Sequence, residues 1–441
     1  MRVRRLVMDI KTVTVIGANG TMGKNVSGIF ASFGSAKVYM VGRNIEDVND
    51  AKLKAINSVK SSAIDANLIP KDYSSLEQCI KESDLIFESV FEDLEVKRDV
   101  YKLISKFIKP GTIVATGTSG LSINSLGLSF EAEFRKSFLG IHMFNPPYNM
   151  TLCEIIPTEF TDKDLLDDTK KYLTEKLNRK VVEVKDQPAF LGNRIGFQFL
   201  NEALQLSEKY KQRGGIDYID SIIGPFTGRS MAPLVTANFV GLDVHKAIVD
   251  NIYENTEDYA NETFIFPSYT RQLVQENQLG SKTGSGLYKI IREDNGHAIK
   301  HVYDIESGKY RNVHKHNFPF VNRMIKEIKN GNYESAFQQL VKDESEEAIL
   351  CVQMLIKYAI YGIQTTRIIG ESIHSADDVM ATGFNWIPPL AVIDVFGGVQ
   401  NFKKLAKTKL STDYYENNDL DLVLRDVPKS NYDYRPFLKA K

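Results

Sequence analysis

The segment TVTVIGANGTMGKNVSGIFASFGSAKVYMVG, residues 12–42, contains a complete strand–turn–helix–strand pattern. TVTVIG is a β-branched run typical of a buried strand, and KVYMVG is a second run of the same kind. Between them, KNVSGIFASFG spaces its apolar residues as a helix does. Two strands joined through one helix predict a βαβ unit with parallel strands.

The same alternation continues toward Pro188. Helical stretches and strand-like runs follow one another: helix 47–60, strand LIFESV (85–90), helix 94–107 and strand TIVATG (112–117). This order predicts a doubly wound parallel sheet covered by helices on both faces, an α/β Rossmann domain over residues 1–187. The strand-like run VVEVKDQPA, which meets Pro188, marks the end of this domain.

From Asn193 the apolar residues take up helical spacing, and no convincing strand follows for many residues. We therefore predict an all-α domain over residues 188–290, which closes at the Gly-rich segment GSKTGSGLYKI. Residues 291–441 are predicted to form a hairpin-bearing linker and a second helical part.

Two stretches of the helical region resemble each other. DSIIGPFTGRSMAPL (220–234) and DDVMATGFNWIPPL (377–390) each contain an Asp, a short helix, a Gly and a Pro-Leu corner. The second stretch is one residue shorter. Their similarity favours a diverged duplication of the helical domain.

The composition excludes several classes of partner. A formal net charge of −1 over 441 residues gives no broad field for nucleic acid or an anionic membrane. No apolar stretch predicts membrane insertion, and the basic start MRVRRLVMDI does not have the pattern of a signal peptide. Three separated cysteines, Cys79, Cys153 and Cys351, favour a reducing compartment, so the cytoplasm is expected.

Four histidines cluster between the two helical parts, and we interpret them as solvated surface residues. No metal site is predicted, because no carboxylate or cysteine completes a ligand set. These residues are His297, His301, His314 and His316.

The glycines of the first turn predict a dinucleotide site. Glycine allows a sharp turn from strand to helix and lets a diphosphate approach the amides of the helix N-terminus. A plain tight turn is the alternative, and the loop has one residue more than the usual G-x-G-x-x-G spacing. The candidate cofactor-binding residues are Gly17, Asn19, Gly20, Thr21, Met22 and Gly23.

The end of the second strand leaves NAD and NADP both open. An acidic residue usually stands there to bind the adenosine ribose of NAD, but this chain has Val41-Gly42-Arg43. Gly42 removes the carboxylate that would repel a 2′-phosphate, and Arg43 offers a donor fork for one. Arg43 could equally be a solvated loop residue that stacks on adenine.

His142 and Glu154 lie in two strand-like runs on either side of the corner Asn145-Pro146-Pro147. A chain that turns back there can bring the carboxylate beside the imidazole. Such a carboxylate would fix the imidazole tautomer and suit a general base that takes a proton from an alcohol. A lone histidine in this position is more often a core residue.

Taken in order, seven motifs resemble the L-3-hydroxyacyl-CoA dehydrogenases, and H-x-F-N-P and P-x-F-x-x-N-R are the most specific of their patterns. The motifs are GANGTMG, FESVFEDLEVK (87–97), TGTSGLSI (116–123), HMFNPPYNMTLCEI, DQPAFLGNRI (186–195), MAPLVTANFVGLDV (231–244) and KTGSGLYK (282–289). The resemblance covers roughly residues 12–290.

The resemblance implies roles for six residues. His142 would be the general base and Glu154 its orienting partner, while Ser119 and Asn193 would hydrogen-bond the reacting oxygen. Glu92 and Lys97 would lie near the cofactor. Simpler interpretations remain: Asn193 could cap a helix, Ser119 could be a turn residue and Lys97 a solvated helix residue.

The implied reaction is the reversible NAD(P)-dependent oxidation of (S)-3-hydroxyacyl-CoA to 3-oxoacyl-CoA, in fatty-acid β-oxidation or related CoA-thioester metabolism. The resemblance also implies that the helical region has a 6-phosphogluconate-dehydrogenase-like fold. Residues 291–441 are similar to the dehydrogenase half of multifunctional fatty-acid oxidation enzymes. This chain leaves no room for a hydratase module, so a separate enoyl-CoA hydratase and a thiolase would be pathway partners. A homodimer and an internal pseudo-dimer are both open.

The chain departs from the family pattern at several positions. Gly120 replaces a common second serine, and Phe226, Ala232 and Asn238 replace Gly, Gly and Asp.

Two alternative functions remain open: a dehydrogenase of the same fold that acts on a small hydroxy acid without CoA, and a catalytically silent dinucleotide-binding or scaffold protein.

Overall fold

The computed structural model describes residues 8–292 and 298–440, so His297 lies outside the described residues. Contacts between Cα atoms divide the chain into a unit that ends at Phe190 and a unit that begins at Leu191. The predicted further boundary at residue 290 stays a prediction.

The first unit contains an eight-stranded sheet in the order β3-β2-β1-β4-β5-β6-β7-β8. Strands β1 to β6 pair in parallel, β7 is antiparallel to β6, and β8 is parallel to β7. The strands are β1 Thr12–Ile16, β2 Lys37–Gly42, β3 Leu68–Asp72, β4 Leu85–Glu88, β5 Ile113–Thr116, β6 Phe138–Met143, β7 Leu152–Pro157 and β8 Lys180–Glu183.

In the described part of this unit, seven α-helices accompany the sheet: α1 Thr21–Ser32, α2 Ile45–Val59, α3 Leu76–Glu82, α4 Leu94–Ser105, α5 Ile123–Gly127, α6 Ala132–Arg135 and α7 Lys163–Lys171. Local sequence explains where several begin, since the side chains of Asn44, Asp93 and Asp162 accept hydrogen bonds from the first-turn amides of α2, α4 and α7. The predicted Rossmann architecture is confirmed.

The prediction missed the edge strand β3. Its sequence LIPKD contains a proline and two charged residues, which disfavour a central strand. At the sheet edge a proline is tolerated, because one side of the strand has no ladder partner. Pairing with β2 therefore overrides the weak local preference of this segment.

The strand order reverses at β1, which pairs with β2 on one side and with β4 on the other. Ligands of open α/β sheets bind in the crevice beyond the carboxyl ends of the strands at such a switch point. The Gly-rich turn that follows β1 and the residues that follow β4 both lie there.

A buried ion pair fixes the carboxyl end of β4 to α4. Lys97 Nζ lies 2.8 Å from Glu88 Oε1, and the two side chains are 1% and 0% exposed. Glu88 also accepts hydrogen bonds from Tyr101 (2.6 Å) and Thr116 (2.8 Å). Burial and the Glu88 carboxylate raise the pKa of Tyr101 well above its ordinary value. The interpretation of Lys97 as a solvated helix residue is wrong.

The second unit is mainly helical, as predicted. Its helices are α8 Gly192–Lys209, α9 Ile216–Ile222, α10 Pro233–Val240, α11 Leu242–Asn255, α12 Ser268–Gln275, α13 Pro319–Lys329, α14 Tyr333–Lys342, α15 Glu346–Ile369, α16 Ser375–Val379, α17 Pro389–Val395, α18 Val399–Lys409, α19 Thr412–Asn417 and α20 Leu420–Val423. The expected hairpin is part of a three-stranded antiparallel sheet, β9 Tyr288–Arg292, β10 Ala298–Asp304 and β11 Lys309–Asn312.

Helix α15 is long and apolar enough to cross a membrane by length and composition alone. However, 78% of its apolar window is buried within the protein. It packs against α8 and α17, which is how the core helix of a soluble protein behaves.

The two similar sequence stretches each place an aspartate at the start of a following helix. Asp220 accepts hydrogen bonds from the amides of Leu234 (2.8 Å) and Val235 (3.1 Å) at the start of α10. Asp377 accepts one from the amide of Leu390 (2.8 Å) at the start of α17. In both copies an aspartate therefore caps a helix that begins with proline, which supports the predicted duplication.

The cluster around Arg229 joins the two helical parts. The fully buried Arg229 guanidinium lies 3.9 Å from the ring centre of Phe199, 4.9 Å from Trp386 and 5.0 Å from Tyr358. Burial lowers the pKa of Arg229 to about 10, so the side chain stays charged at neutral pH.

Replacing Lys97 by Met should lower the free energy of unfolding by about 3–5 kcal/mol, because Glu88 is left buried without its cation. The control Lys102→Met, on the exposed face of the same helix, should cost less than about 1 kcal/mol, since its partner Asp99 is also exposed. Urea unfolding followed by circular dichroism measures both. Equal losses in the two variants would contradict a buried pair.

Asp377 should make stability fall with rising pH. Burial raises its pKa from the ordinary 3.8 to about 7, so the folded chain binds this proton more tightly than the unfolded chain does. The stabilisation is complete below the unfolded pKa and is lost as the pH rises toward 7. Relative to the uncharged variant Asp377→Asn, the wild type should lose on the order of 2 kcal/mol between pH 5 and pH 8.

The fluorescence of Trp386, the one tryptophan of the chain, follows unfolding of this unit in urea. Asp413→Asn at an exposed position is the control. A difference between wild type and Asp377→Asn that does not change with pH would overturn the prediction.

Candidate active site

His142 and Glu154 are directly opposite each other on the antiparallel strands β6 and β7. His142 Nδ1 lies 2.7 Å from Glu154 Oε2, and the two side chains are 5% and 0% exposed. An ionised carboxylate can only accept, so the imidazole donates from Nδ1 and leaves Nε2 as a proton acceptor. This arrangement suits a general base.

Ser119 lies on the other side of the imidazole. Its Oγ is 3.2 Å from His142 Nε2, and in the tautomer set by Glu154 the hydroxyl donates to that nitrogen. Ser119 follows β5 in the turn TGTSGL, so the loop at the carboxyl end of one strand meets a side chain on the next strand.

Two aromatic rings flank the imidazole. Phe144 lies 4.7 Å from the His142 ring centre and Phe190 lies 5.4 Å from it. Phe190 has a φ of 53°, in the left-handed region that is uncommon for aromatic residues. Both rings are buried and keep water from two sides of the base.

Glu92 connects the buried ion pair to the serine loop. Its Oε2 lies 3.2 Å from Lys97 Nζ, and its Oε1 accepts a 2.8 Å hydrogen bond from the Ser119 amide. The Thr118 hydroxyl also donates to Glu92. Glu92 therefore fixes the backbone of the loop that carries Ser119 and connects it to Lys97.

Sequence reasoning did not find Glu88, Tyr101, Phe144 or Phe190. A glutamate inside the apolar run LIFESV was a signal, because a carboxylate in a buried strand needs a partner. Phe144 also had a signal, since it lies one residue beyond β6 and two residues after His142, a spacing that places two side chains on the same face of an extended chain. No local pattern pointed to the contact of Phe190.

The turn after β1 fits the diphosphate of a dinucleotide. Gly17 has a φ of +83°, and a Cβ built there would lie 2.4 Å from the carbonyl oxygen of Ser89. Gly20 precedes α1, whose first turn has no acidic residue and receives no side-chain cap from the described residues. Amides left without partners at a helix N-terminus favour an anionic group.

The other predicted cofactor residues surround this turn. Asn19 and Thr21 are exposed, Met22 is half-buried, and Gly23 is buried in the first turn of α1. Arg43 is exposed just after β2. The contacts of Glu92 and Lys97 are with the serine loop and Glu88, and their predicted role near a cofactor stays a prediction.

Asn193 belongs to the second unit, where it is buried in the first turn of α8. The residue before this helix is Leu191, whose side chain does not cap α8. Arg194 instead forms an ion pair with Asp258 at 2.7 Å. Asn193 lies inside α8 and not at its N-cap position, so the alternative that Asn193 caps the helix is wrong.

Comparisons with known proteins agree with these observations. Residues 12–187 match the family profile described as 3-hydroxyacyl-CoA dehydrogenase, NAD binding domain, and residues 190–290 match its C-terminal domain. The chain is 31% identical over 330 residues to a probable 3-hydroxyacyl-CoA dehydrogenase of Bacillus subtilis, covering 74% of this chain and 40% of that protein.

A human relative, the mitochondrial hydroxyacyl-coenzyme A dehydrogenase, is 31% identical over 296 residues, which cover 64% of this chain and 91% of that protein. The solved structure of the Escherichia coli 3-hydroxybutyryl-CoA dehydrogenase has the same fold. The match has a TM-score of 0.68 at 21% identity and covers 93% of this chain and 96% of the other.

The chain thus spans less than half of the Bacillus subtilis relative but most of the human one. Its two matched domains follow each other in one chain, and the first carries the Gly-rich turn and the His142–Glu154 pair. The chain belongs to the 3-hydroxyacyl-CoA dehydrogenase family of NAD-dependent oxidoreductases.

Proposed function

We propose that this chain oxidises the 3-hydroxyl of (S)-3-hydroxyacyl-CoA to 3-oxoacyl-CoA, and catalyses the reverse reduction, with NAD as its cofactor. The observation that carries the proposal is the buried pair of His142 and Glu154. The other ring nitrogen of His142, Nε2, contacts the Ser119 hydroxyl. Fatty-acid β-oxidation or related CoA-thioester metabolism is the proposed setting.

His142 acts as the general base through Nε2. It takes the proton of the 3-hydroxyl, and bound NAD would supply the acceptor for the hydride that leaves the carbon carrying this hydroxyl. Glu154 stabilises the imidazolium that forms, because its carboxylate accepts the hydrogen bond from Nδ1, with Nδ1 and Oε2 2.7 Å apart. In the reverse reaction the protonated imidazole returns the proton to the substrate oxygen.

Ser119 is proposed to hydrogen-bond the reacting oxygen. Its hydroxyl lies 3.2 Å from Nε2, so an oxygen that approaches the base also approaches this hydroxyl. Glu92 holds the Ser119 amide and so fixes the position of the loop. Asn193 is proposed as a second partner of the same oxygen, on the strength of the family motif LGNRI alone.

The proposed substrate is an acyl-CoA thioester. A separate enoyl-CoA hydratase and a thiolase are the proposed pathway partners, because they would supply the 3-hydroxyacyl thioester and consume the 3-oxoacyl product. The described thiols of Cys79, Cys153 and Cys351 are free and buried, which supports a reducing compartment and hence the cytoplasm.

We also propose that the second helical part acts as an internal partner of the first, as an alternative to a second subunit. Within the second unit, α15 packs against α8. The Arg229 guanidinium lies against Phe199 of the first helical part and Trp386 of the second. These contacts cover an apolar face that a single helical part would leave exposed.

Replacing His142 by Gln should lower kcat by about 10²–10⁴-fold, because the general base is lost. Turnover is followed at 340 nm with acetoacetyl-CoA and NADH. The affinity for NADH, measured by its fluorescence on binding, should change little. His301→Gln, in β10 of the second unit, is the control and should keep wild-type turnover.

Unchanged turnover in His142→Gln would remove this histidine from the mechanism. Wild-type activity on acetoacetate, with none on acetoacetyl-CoA or a longer 3-oxoacyl-CoA, would favour a dehydrogenase of a small hydroxy acid. Binding of NADH without turnover of either substrate would identify a silent dinucleotide-binding protein.

A further inference from the structure

This chain departs from the usual dinucleotide-binding pattern at two places, the longer Gly-rich loop and the end of β2, and the two places lie next to each other. Asn19 stands in the longer loop between Gly17 and Gly20, and Gly42 stands where β2 usually ends in an acidic residue. The amides of Gly17 and Ala18 both donate to the carbonyl oxygen of Val41, at 2.9 and 3.0 Å. These bonds bring the loop to the end of β2.

At that point the Asn19 side chain takes up the space beside Gly42. A Cβ built at Gly42 would lie 3.1 Å from Asn19 Oδ1 and 2.6 Å from Cγ2 of Val48. Val48 is fully buried and β-branched, so it has little freedom to move away. A side chain at position 42 would therefore clash with Val48 of α2 and crowd the Asn19 side chain. The neutral carboxamide of Asn19 lies beside Gly42, where the family usually has an acidic side chain.

Arg43 adds a positive charge at the same place. Its side chain is exposed. The carboxylate of Asp72, which is paired with Gly42 in the neighbouring strand, accepts hydrogen bonds from Ser74. Glu46 and Asp47 are also exposed nearby, in the first turn of α2.

An acidic residue at the end of β2 selects NAD in two ways: it accepts hydrogen bonds from the ribose hydroxyls, and it repels a 2′-phosphate. A carboxamide can accept from a hydroxyl through Oδ1 and donate to a phosphate oxygen through Nδ2. A guanidinium provides further donors that match phosphate geometry. Neither group penalises the phosphate.

We propose that Asn19 and Arg43 bind the adenosine ribose and accept a 2′-phosphate, so that this chain binds NADP(H) as well as NAD(H). The inference rests on the proposed dinucleotide-dependent function. It makes Asn19 and Arg43 the residues that determine cofactor specificity.

The test uses calorimetric titration of the full chain with two probes that lack nicotinamide, 5′-AMP and 2′,5′-ADP. The wild type should bind 2′,5′-ADP at least as tightly as 5′-AMP. Asn19→Asp, which returns a carboxylate to the site without changing its size, should weaken 2′,5′-ADP by about tenfold or more and spare 5′-AMP.

Arg43→Gln is the second variant, at an exposed position that folding does not require, and it should weaken 2′,5′-ADP by a similar factor. Lys54→Gln, which loses an exposed ion pair on α2, is the control and should leave both affinities unchanged.

Wild-type binding of 5′-AMP with much weaker binding of 2′,5′-ADP would overturn this inference and leave the proposed function intact. An unchanged ratio of the two affinities in both variants would do the same. Failure of both probes to bind would overturn the inference together with the dinucleotide-dependent function.

Discussion

His142 donates a 2.7 Å hydrogen bond to Glu154 across the antiparallel strands β6 and β7, and the proposed chemistry depends on this contact. A slip of one residue in the register would turn one of the two side chains to the other face of the sheet. The fully buried carboxylate would then lack this partner, at a high cost in free energy. Fold stability and the position of the base are therefore coupled through the same pair of strands.

A second set of contacts positions the opposite side of the imidazole. It runs from Glu88 through Lys97 and Glu92 to the backbone of Ser119. The charges of Glu88 and Lys97 are buried, so removing either one leaves the other uncompensated. The network links the end of β4, at the switch point of the sheet, to the loop after β5.

The sequence predicted much of this architecture. Continuous apolar runs identified the buried strands β1, β2, β4 and β5, because both faces of a parallel sheet are covered. The edge strand β3 was missed, since Pro70 and its charged neighbours obscure a strand that only pairing with β2 stabilises. The proline corner also indicated that Glu154 could return to His142.

Other features of the site depend on contacts between distant segments and could not be predicted. Lys97 was open to interpretation as a surface residue, because its partner Glu88 lies in a different element and only the fold brings the two together. Asn19 and Gly42 are likewise brought together only by the fold, because the amides of the loop donate hydrogen bonds to the carbonyl oxygen of Val41. In the sequence, these two residues appeared as unrelated departures from the family pattern.

The position of the proton on His142 is the most direct test of its proposed role as the general base. Nitrogen-15 NMR of histidine-labelled protein at alkaline pH, with the signal assigned by its loss in His142→Gln, distinguishes the two neutral tautomers. We expect the proton on Nδ1, held by Glu154, and a mixture of tautomers in Glu154→Gln. A proton on Nε2 in the wild type would contradict it, because the nitrogen that faces Ser119 could then not act as the base.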